Sequence, residues 1–488
     1  MAEVIKRVGK ERLLDPVDLT LKLFKFPIKP YEFQKAEIDK LAWNQKAAYY
    51  WEPGTGKTLA STIHALHWFT DASQMWGSVN HWFVVVPPIL IPQWETWLSK
   101  ITYRESGENL KVTAYAGTPA QRQKISLDTD FLIMSYQILK QDYDYLYTHF
   151  KDKLYGVLAD EATAIKNHES VTHKAIAHLS DKRPLQLLTG TPLNKPNDAY
   201  AYLKLVAPHC YSSKRAFDRA HVEEVDGWGN TTKWKNLDQL TDYMKINTSR
   251  LLRRDVRKEL PPVVYTPLIY NLHREHMKLY ERIAEERLVE FEDQPEIDAI
   301  SASALRSALQ QIVVNWAEFE GNPARKPAVL DIIEEILEEL GDKKLVVVAN
   351  FRRSNRYLRD ILQKPYGAVA IYGDVSTKDK QAALKAFIHD PSCRVILLHP
   401  ESAGFGVDGL QHVCSDMLIV EAPTIPIPFQ QIVARLDRDG QNDVVHVRTA
   451  IAKDTVQVRM FRNLMEKDAL ANRVQGGYKD LKDSIYGR

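Results

Sequence analysis

Only three cysteines occur in the 488 residues, Cys210, Cys393 and Cys414, and no two of them share a CxxC spacing. That excludes a disulfide framework and argues against a cysteine zinc site, because both need clustered thiols. The 15 histidines include no HxxxH pair and read as surface or packing residues. No segment approaches the roughly 18 successive apolar residues that span a bilayer, and the opening MAEVIKRVGKERLL has no apolar core. The expectation is a soluble protein of a reducing cytoplasm with no membrane partner. An excess of either charge is missing too: 65 Lys and Arg stand against 63 Asp and Glu, a formal +2. A polyanionic partner would have to be gripped by a local basic track, because there is no global field to attract it. Internal repeats and low-complexity tracts are also absent, which argues against a solenoid.

What is present is ordinary globular composition, 44% hydrophobic and 26% charged, in a chain long enough for about two to four domains. Short apolar runs alternate with helical patterns, the signature of parallel sheets covered by helices. One set comprises WFVVVPP (82–88), FLIMSY (131–136), YGVLADEA (155–162) and LQLLTGTP (185–192). A second comprises KLVVVAN (344–350), AVAIYGD (368–374), CRVILLHP (393–400), DMLIVEAP (416–423) and DVVHVRTA (443–450). The reading is two α/β lobes, at 28–210 and 261–470, behind an N-terminal extension (1–27) and ahead of a tail (471–488). Between them, 211–260 reads as a mostly helical insertion and linker holding the Gly- and Trp-containing loop VDGWGNTTKWKN. In DIIEEILEELGDKK, Ile332, Ile333, Ile336, Leu337 and Leu340 fall on one helical face that ends at Gly341, and the glutamates form a solvated face.

The sharpest local signal is EPGTGKT, Glu52 to Thr58. Gly54 and Gly56, with Thr55 between them, let backbone N–H groups turn inward on a phosphate chain. Lys57 reaches the β and γ phosphates, and Thr58 can ligate Mg²⁺. The following LASTIHALHWF is helical in character, so the loop opens onto a helix N-terminus that favours anions. Taken alone, GKT is also compatible with a glycine turn capping an ordinary helix. About a hundred residues on, an apolar strand ends in Asp160 and Glu161. An acid at a strand tip beside a phosphate loop can hold the Mg²⁺, and its neighbour can orient or deprotonate the attacking water. Asp160 is assigned to the metal and Glu161 to the general base; a plain helix N-terminus is the alternative for the pair. Trp51 stands where the usual loop has its first glycine, and the expectation is that it packs behind the loop.

EPGTGKT, ADEATAIKN, LLTGTPLNKP and QQIVARLDRDGQ, in this order, resemble the superfamily 2 helicase-like ATPases of the Swi/Snf type, over most of the chain from about Tyr31 to Val456. YEFQ, VVVPPILIPQWETWL and SRLLRRDVRKELPP extend the resemblance, and AFDRAHVEEVDGWGNTTKWKNLDQL is similar to the distant group that includes annealing helicases. Compact relatives of this kind occur in bacteriophages. The resemblance implies two RecA-like lobes, ATP and Mg²⁺ as cofactors, and Gln34 as the reader of adenine. It also implies Arg435 and Arg438 as arginine fingers from the second lobe, although RLDR in isolation also reads as a helix surface. TGTP, Thr189 to Pro192, would link the nucleotide site to the DNA site; by itself it is a Gly-Pro turn after a strand. SAGFGVDGLQ is one residue longer than the corresponding family motif, which leaves Asp408 and Gly409 unaligned.

By motif match the resemblance also implies a nucleic-acid track of Pro88, Gln93, Trp94, Ser135 and Tyr136 on the first lobe. Asn350, Arg352, Arg353 and Ser402 would continue it on the second. Trp94 and Trp97 share a helical face that serves either core packing or base stacking. RLLRRDVRK is basic enough for phosphate or serves as a linker brace. The functional expectation is a DNA-stimulated ATPase, a monomer that translocates on duplex or branched DNA and works with a replication, repair or transcription protein. A strand-separating DNA or RNA helicase is the runner-up. An ATP-gated nucleic-acid clamp, or a factor associated with RNA polymerase, is the reading from another class.

Overall fold

The computed structural model describes residues 15–52, 54–69, 79–227, 229–252, 256, 261–292, 299–317, 326–373, 375–400, 407–438 and 440–474. Most of the expected N-terminal extension and tail, most of the basic linker and Ser402 lie outside these residues. The chain divides into two compact units, the first up to Lys258 and the second from Glu259 to Asn472. No helix among the described residues is long and apolar enough to cross a membrane.

The first unit is built on seven parallel strands. In chain order these are β1 (Lys46–Trp51), β2 (His81–Val86), β3 (Val112–Ala114), β4 (Phe131–Ser135), β5 (Tyr155–Asp160), β6 (Leu185–Leu188) and β9 (Thr248–Leu251). Their order across the sheet is β9-β1-β6-β5-β2-β4-β3. The apolar runs become central strands because helices cover both faces, so successive residues are buried whichever way they point. Gly156 on β5 is required by this packing: it lies opposite Trp82, and a Cβ there would meet the indole ring at 2.7 Å.

The helices that position the site are α1 (Glu32–Leu41), α2 (Lys57–His67), α3 (Ile91–Leu98) and α4 (Tyr136–Gln141). The expected insertion contains α5 (Lys214–His221) and α6 (Leu237–Met244). Between them lies an antiparallel hairpin of β7 (Val222–Val225) and β8 (Thr231–Trp234). The start of the stretch read as a linker is itself a strand: β9 pairs in parallel with β1, Leu251 opposite Trp51.

The second unit has six parallel strands: β10 (Val263–Tyr270), β11 (Leu345–Val348), β12 (Val369–Ile371), β13 (Val395–Leu398), β14 (Asp416–Ile419) and β15 (Val445–Ala452). They run in the order β10-β15-β14-β11-β13-β12. Alternation along β11 sorts its side chains into two cores, Leu345 and Val347 into one, Val346 and Val348 into the other. Helix α7 (Ala328–Glu339) buries Ile333, Ile336 and Leu337, half-buries Ile332 and ends ahead of Gly341, with Glu335, Glu338 and Glu339 exposed. Helices α8 (Arg352–Tyr366) and α9 (Pro426–Val433) carry further expected site residues or lead into them.

Candidate nucleotide and nucleic-acid site

In a parallel sheet every strand delivers its C-terminal end to the same edge, which is where α/β proteins bind ligands. Five adjacent strands of the first unit do so here. β1 leads into the EPGTGKT loop, β6 into Thr189 to Pro192, β5 into Asp160 and Glu161, β2 into Pro88, and β4 into Tyr136. Residues more than a hundred positions apart in the chain therefore share one edge.

The loop has the backbone its glycines imply, with Gly54 at φ 84° and Gly56 at φ 86°. Gly56 has a second reason to lack a side chain: a Cβ there would lie 2.2 Å from Nε2 of Gln34. Gln34 is buried, accepts the Tyr31 N–H on Oε1 at 2.8 Å and donates from Nε2 to the Thr55 carbonyl at 2.8 Å. The expected adenine reader thus also fastens the phosphate loop. Lys57 opens α2 and donates to the Trp51 carbonyl at 2.8 Å, and the half-buried Thr58 follows it.

Asp160 is held on every side. Its Oδ1 accepts the Glu161 N–H at 2.8 Å, its Oδ2 accepts the Trp94 indole N–H at 2.9 Å, and its carbonyl accepts the Tyr136 hydroxyl at 2.7 Å. Burial raises its pKa above the ordinary carboxylate value, opposed by the Trp94 bond, the positive charge of Lys57 and the Glu161 N–H. Lys57 and Asp160 are thus brought into one electrostatic neighbourhood. Glu161 sits in the left-handed region, at φ 50° and ψ 53°, a conformation costing about 1–2 kcal/mol for a residue with a side chain. Such local strain is concentrated at functional positions.

Among the described residues no group of three or more His, Cys, Asp or Glu side chains could hold a metal. One carboxylate (Asp160), one hydroxyl (Thr58) and substrate phosphates are a hard-oxygen set of the kind Mg²⁺ takes. The donor chemistry therefore fits the expected ion.

The expected nucleic-acid residues divide. Pro88 and Gln93 are exposed. Trp94, Ser135 and Tyr136 are buried, and their side chains are turned into the unit: Trp94 and Tyr136 bond to Asp160, and the Ser135 hydroxyl caps α4 by accepting the Ile138 N–H. All three side chains are thus engaged within the unit. Sequence reading missed the role of Trp97, which donates to Thr62 at 3.0 Å. Its spacing of three from Trp94 signalled a shared face but not the partners.

In the second unit, Asn350 is half-buried, and Arg352 and Arg353 are exposed at the N-terminus of α8. Behind them Glu421 accepts the Phe351 N–H at 3.0 Å and a hydroxyl bond from Ser354 at 2.5 Å. Arg435 and Arg438 lie in the turn after α9, beyond the helix itself. Arg435 donates to the Val407 carbonyl at 3.2 Å, and Arg438 pairs with Asp408 at 2.7 Å.

The SNF2-related domain matches residues 51–318, more than half of the chain and including the phosphate loop, Asp160 and Glu161. This chain belongs to that family. At family level it is a Swi/Snf-type, helicase-like ATPase, an ATP hydrolase with two parallel-sheet lobes. It is 26% identical over 445 residues to an uncharacterized ATP-dependent helicase of Mycoplasma genitalium, covering 86% of this chain and 39% of that protein. It is 25% identical over 521 residues to the DNA repair and recombination protein RAD54 of Saccharomyces cerevisiae, covering 93% and 56%. With the Mus musculus chromodomain-helicase-DNA-binding protein 1-like, identity is 25% over 458 residues, covering 88% and 47%. The chain thus spans between 39% and 56% of the length of these relatives. Among solved structures it is similar to the Sulfolobus solfataricus SWI2/SNF2 ATPase core in complex with dsDNA. That match has 21% identity and a TM-score of 0.43, covering 97% of this chain and 99% of the other.

Proposed function

We propose that this family member is a DNA-stimulated ATPase that converts hydrolysis into movement along duplex or branched DNA, remodelling DNA structures or displacing bound proteins. The observation that carries the reading is the fastening of Asp160 to Trp94 and Tyr136. Both belong to segments whose motifs are similar to the family's DNA-contact segments, so the nucleotide machinery and the expected track share hydrogen bonds. Lys57 and the loop amides would bind the phosphates, and Thr58 and Asp160 would hold Mg²⁺, which neutralises phosphate charge when bound. Glu161 would orient the attacking water and accept its proton. In the second unit, Arg435 and Arg438 would neutralise charge developing on the γ-phosphate, and Asn350, Arg352, Arg353 and Ser402 would grip the backbone with little sequence readout. The DNA-repair and helicase names of the relatives support DNA as the polymer. A monomer acting in the cytoplasm of a bacterium or phage-infected cell, beside a replication, repair or transcription protein, completes the proposal.

The test is ATP hydrolysis measured against single-stranded DNA, linear duplex, forked or four-way DNA, and RNA, paired with triplex displacement and tailed-duplex unwinding. Duplex stimulation with triplex displacement and no unwinding is expected. Unwinding without triplex displacement would make the chain a strand-separating helicase, and ATP binding without turnover on any polymer would make it a clamp.

A further inference from the structure

Helix α3, Ile91–Leu98, presents two opposite characters. Pro92, Gln93, Glu95 and Thr96 are exposed, while Trp94 is buried and Trp97 half-buried. The two indoles do not take arbitrary partners. Trp94 donates to Oδ2 of Asp160 at 2.9 Å. Trp97 donates to Oγ1 of Thr62 at 3.0 Å, and that hydroxyl donates in turn to the Thr58 carbonyl at 2.6 Å. One helical turn is thereby tied to both residues whose side chains would hold the metal, directly at Asp160 and through one hydroxyl at Thr58.

The two ties act differently. With the Glu161 N–H on Oδ1 and the Trp94 indole on Oδ2, both carboxylate oxygens of Asp160 are pinned and the plane of the group is set. Site geometry must hold to within about 0.5 Å to be productive, so a small displacement of α3 is enough to re-aim that carboxylate. The Trp97 tie ends on the backbone of α2, one residue after Lys57, and joins α3 to the helix that opens at the phosphate loop. Ile91, Trp94 and Leu98 seat the same face of the helix in the core, so one short helix combines both ties with an outward face of Pro92, Gln93, Glu95 and Thr96.

We propose that α3 transmits polynucleotide binding to the metal site, with Trp94 as a positioning residue for Asp160 and Trp97 as its second attachment. The proposal rests on the reading that exposed residues at and before α3 meet DNA. It assigns the tryptophans to the coupling between the two ligands and not to the grip on either.

The test uses the full chain and Trp94→Phe, which keeps a ring but loses the N–H. The affinity of a fluorescent DNA duplex is measured with and without a non-hydrolysable ATP analogue and Mg²⁺, alongside kcat and KM for ATP. In the unaltered chain the nucleotide should shift duplex affinity by about tenfold. In Trp94→Phe that ratio should fall towards one, with nucleotide-free duplex affinity within about twofold of the original and the loss of turnover in kcat and not KM. Trp97→Phe should change the ratio in the same direction by less. A coupling ratio in Trp94→Phe equal to the original overturns the proposal, whatever happens to turnover. If Trp94→Phe does not fold, the half-exposed Trp97 carries the test, and an unchanged ratio in Trp97→Phe overturns it. An unaltered chain that neither binds duplex nor is stimulated by it sinks the functional reading itself, whereas stimulation with intact coupling in both variants sinks only the transmission.

Discussion

Trp51, at the head of the phosphate loop, donates its indole N–H to the hydroxyl of Ser249 at 2.7 Å. Ser249 passes the bond on to the Glu37 carboxylate at 2.6 Å, while the Trp51 carbonyl accepts from Lys57 at 2.8 Å. One residue therefore joins β1, β9 and α1, and supports the lysine of the loop. The ring is wholly buried, edge-on to Tyr49. The tryptophan that departs from the usual glycine is a buried brace behind the loop.

Replacing Trp51 by glycine, which would restore the usual loop pattern, should harm the protein. Emptying a wholly buried aromatic site costs about 3–5 kcal/mol, and glycine adds a strand penalty. Trp51→Phe should lose the hydrogen bond, about 1–3 kcal/mol with Ser249 left short of a partner, and part of the ring's packing, but less than the glycine variant. Thermal unfolding followed by circular dichroism ranks the three proteins, and a glycine variant as stable as the original would contradict the brace.

Gly56→Ala should abolish nucleotide binding at the loop. The substitution demands a left-handed alanine and pushes Gln34 off the Thr55 carbonyl, because its Cβ would fall 2.2 Å from Nε2. Backbone strain alone accounts for about 1–2 kcal/mol. Titration with a fluorescent ATP analogue reads the loss.

Lys57→Ala and Glu161→Gln should both stop DNA-stimulated hydrolysis, by different routes. The first removes a phosphate ligand and weakens ATP binding. The second keeps binding and lowers kcat by about 10²–10⁴, the usual share of a general base. Near-normal turnover in Glu161→Gln would remove it from that role.

Arg438→Ala should reduce kcat by about 10³ or more while leaving ATP affinity largely intact. Its bond to Asp408 is a pair whose acid is 72% exposed, so the stability change should stay below about 1 kcal/mol. A loss of folding that parallels the loss of turnover would make the arginine structural.

Glu421 should make the second unit sensitive to alkali. Burial raises its pKa from 4.5 to about 8, against the lowering effect of the Ser354, Phe351 and Asn350 bonds. Tyr270 also faces it, buried and with its own pKa raised. Because the folded value lies above the unfolded one, the stabilising contribution is complete below about 4.5 and is lost as pH rises through about 8. Melting temperatures at pH 6 and pH 9 should differ less in Glu421→Gln than in the original protein, and equal differences would refute the assignment.

Much of this was legible from the chain. The apolar runs are strands of the two sheets, all interior except AVAIYGD at one edge, and the face of Ile333, Ile336 and Leu337 is buried, because period and composition report which side of an element meets the core. Gly54, Gly56, Lys57 and Asp160 stand out in the chain because phosphate and metal chemistry restricts the residue types allowed at fixed spacing, and the structure brings them to one edge of the first sheet. The strand at Thr248–Leu251 was not recognised: a four-residue run continuing into LLRRDVRK has no helix-breaking or turn signal to separate it from a linker.

The sequence by itself determined that two parallel sheets form and that a phosphate loop and a strand-end acid belong to one of them. Local pattern carries that information, since backbone geometry and donor chemistry act over a few residues. Only the tertiary structure decided what the tryptophans do. Trp94 finds Asp160 from 66 residues away, and Trp51 finds Ser249 from 198. A buried indole N–H requires an acceptor, but which acceptor it meets is set by how sheet and helices pack, and no short-range pattern encodes that choice.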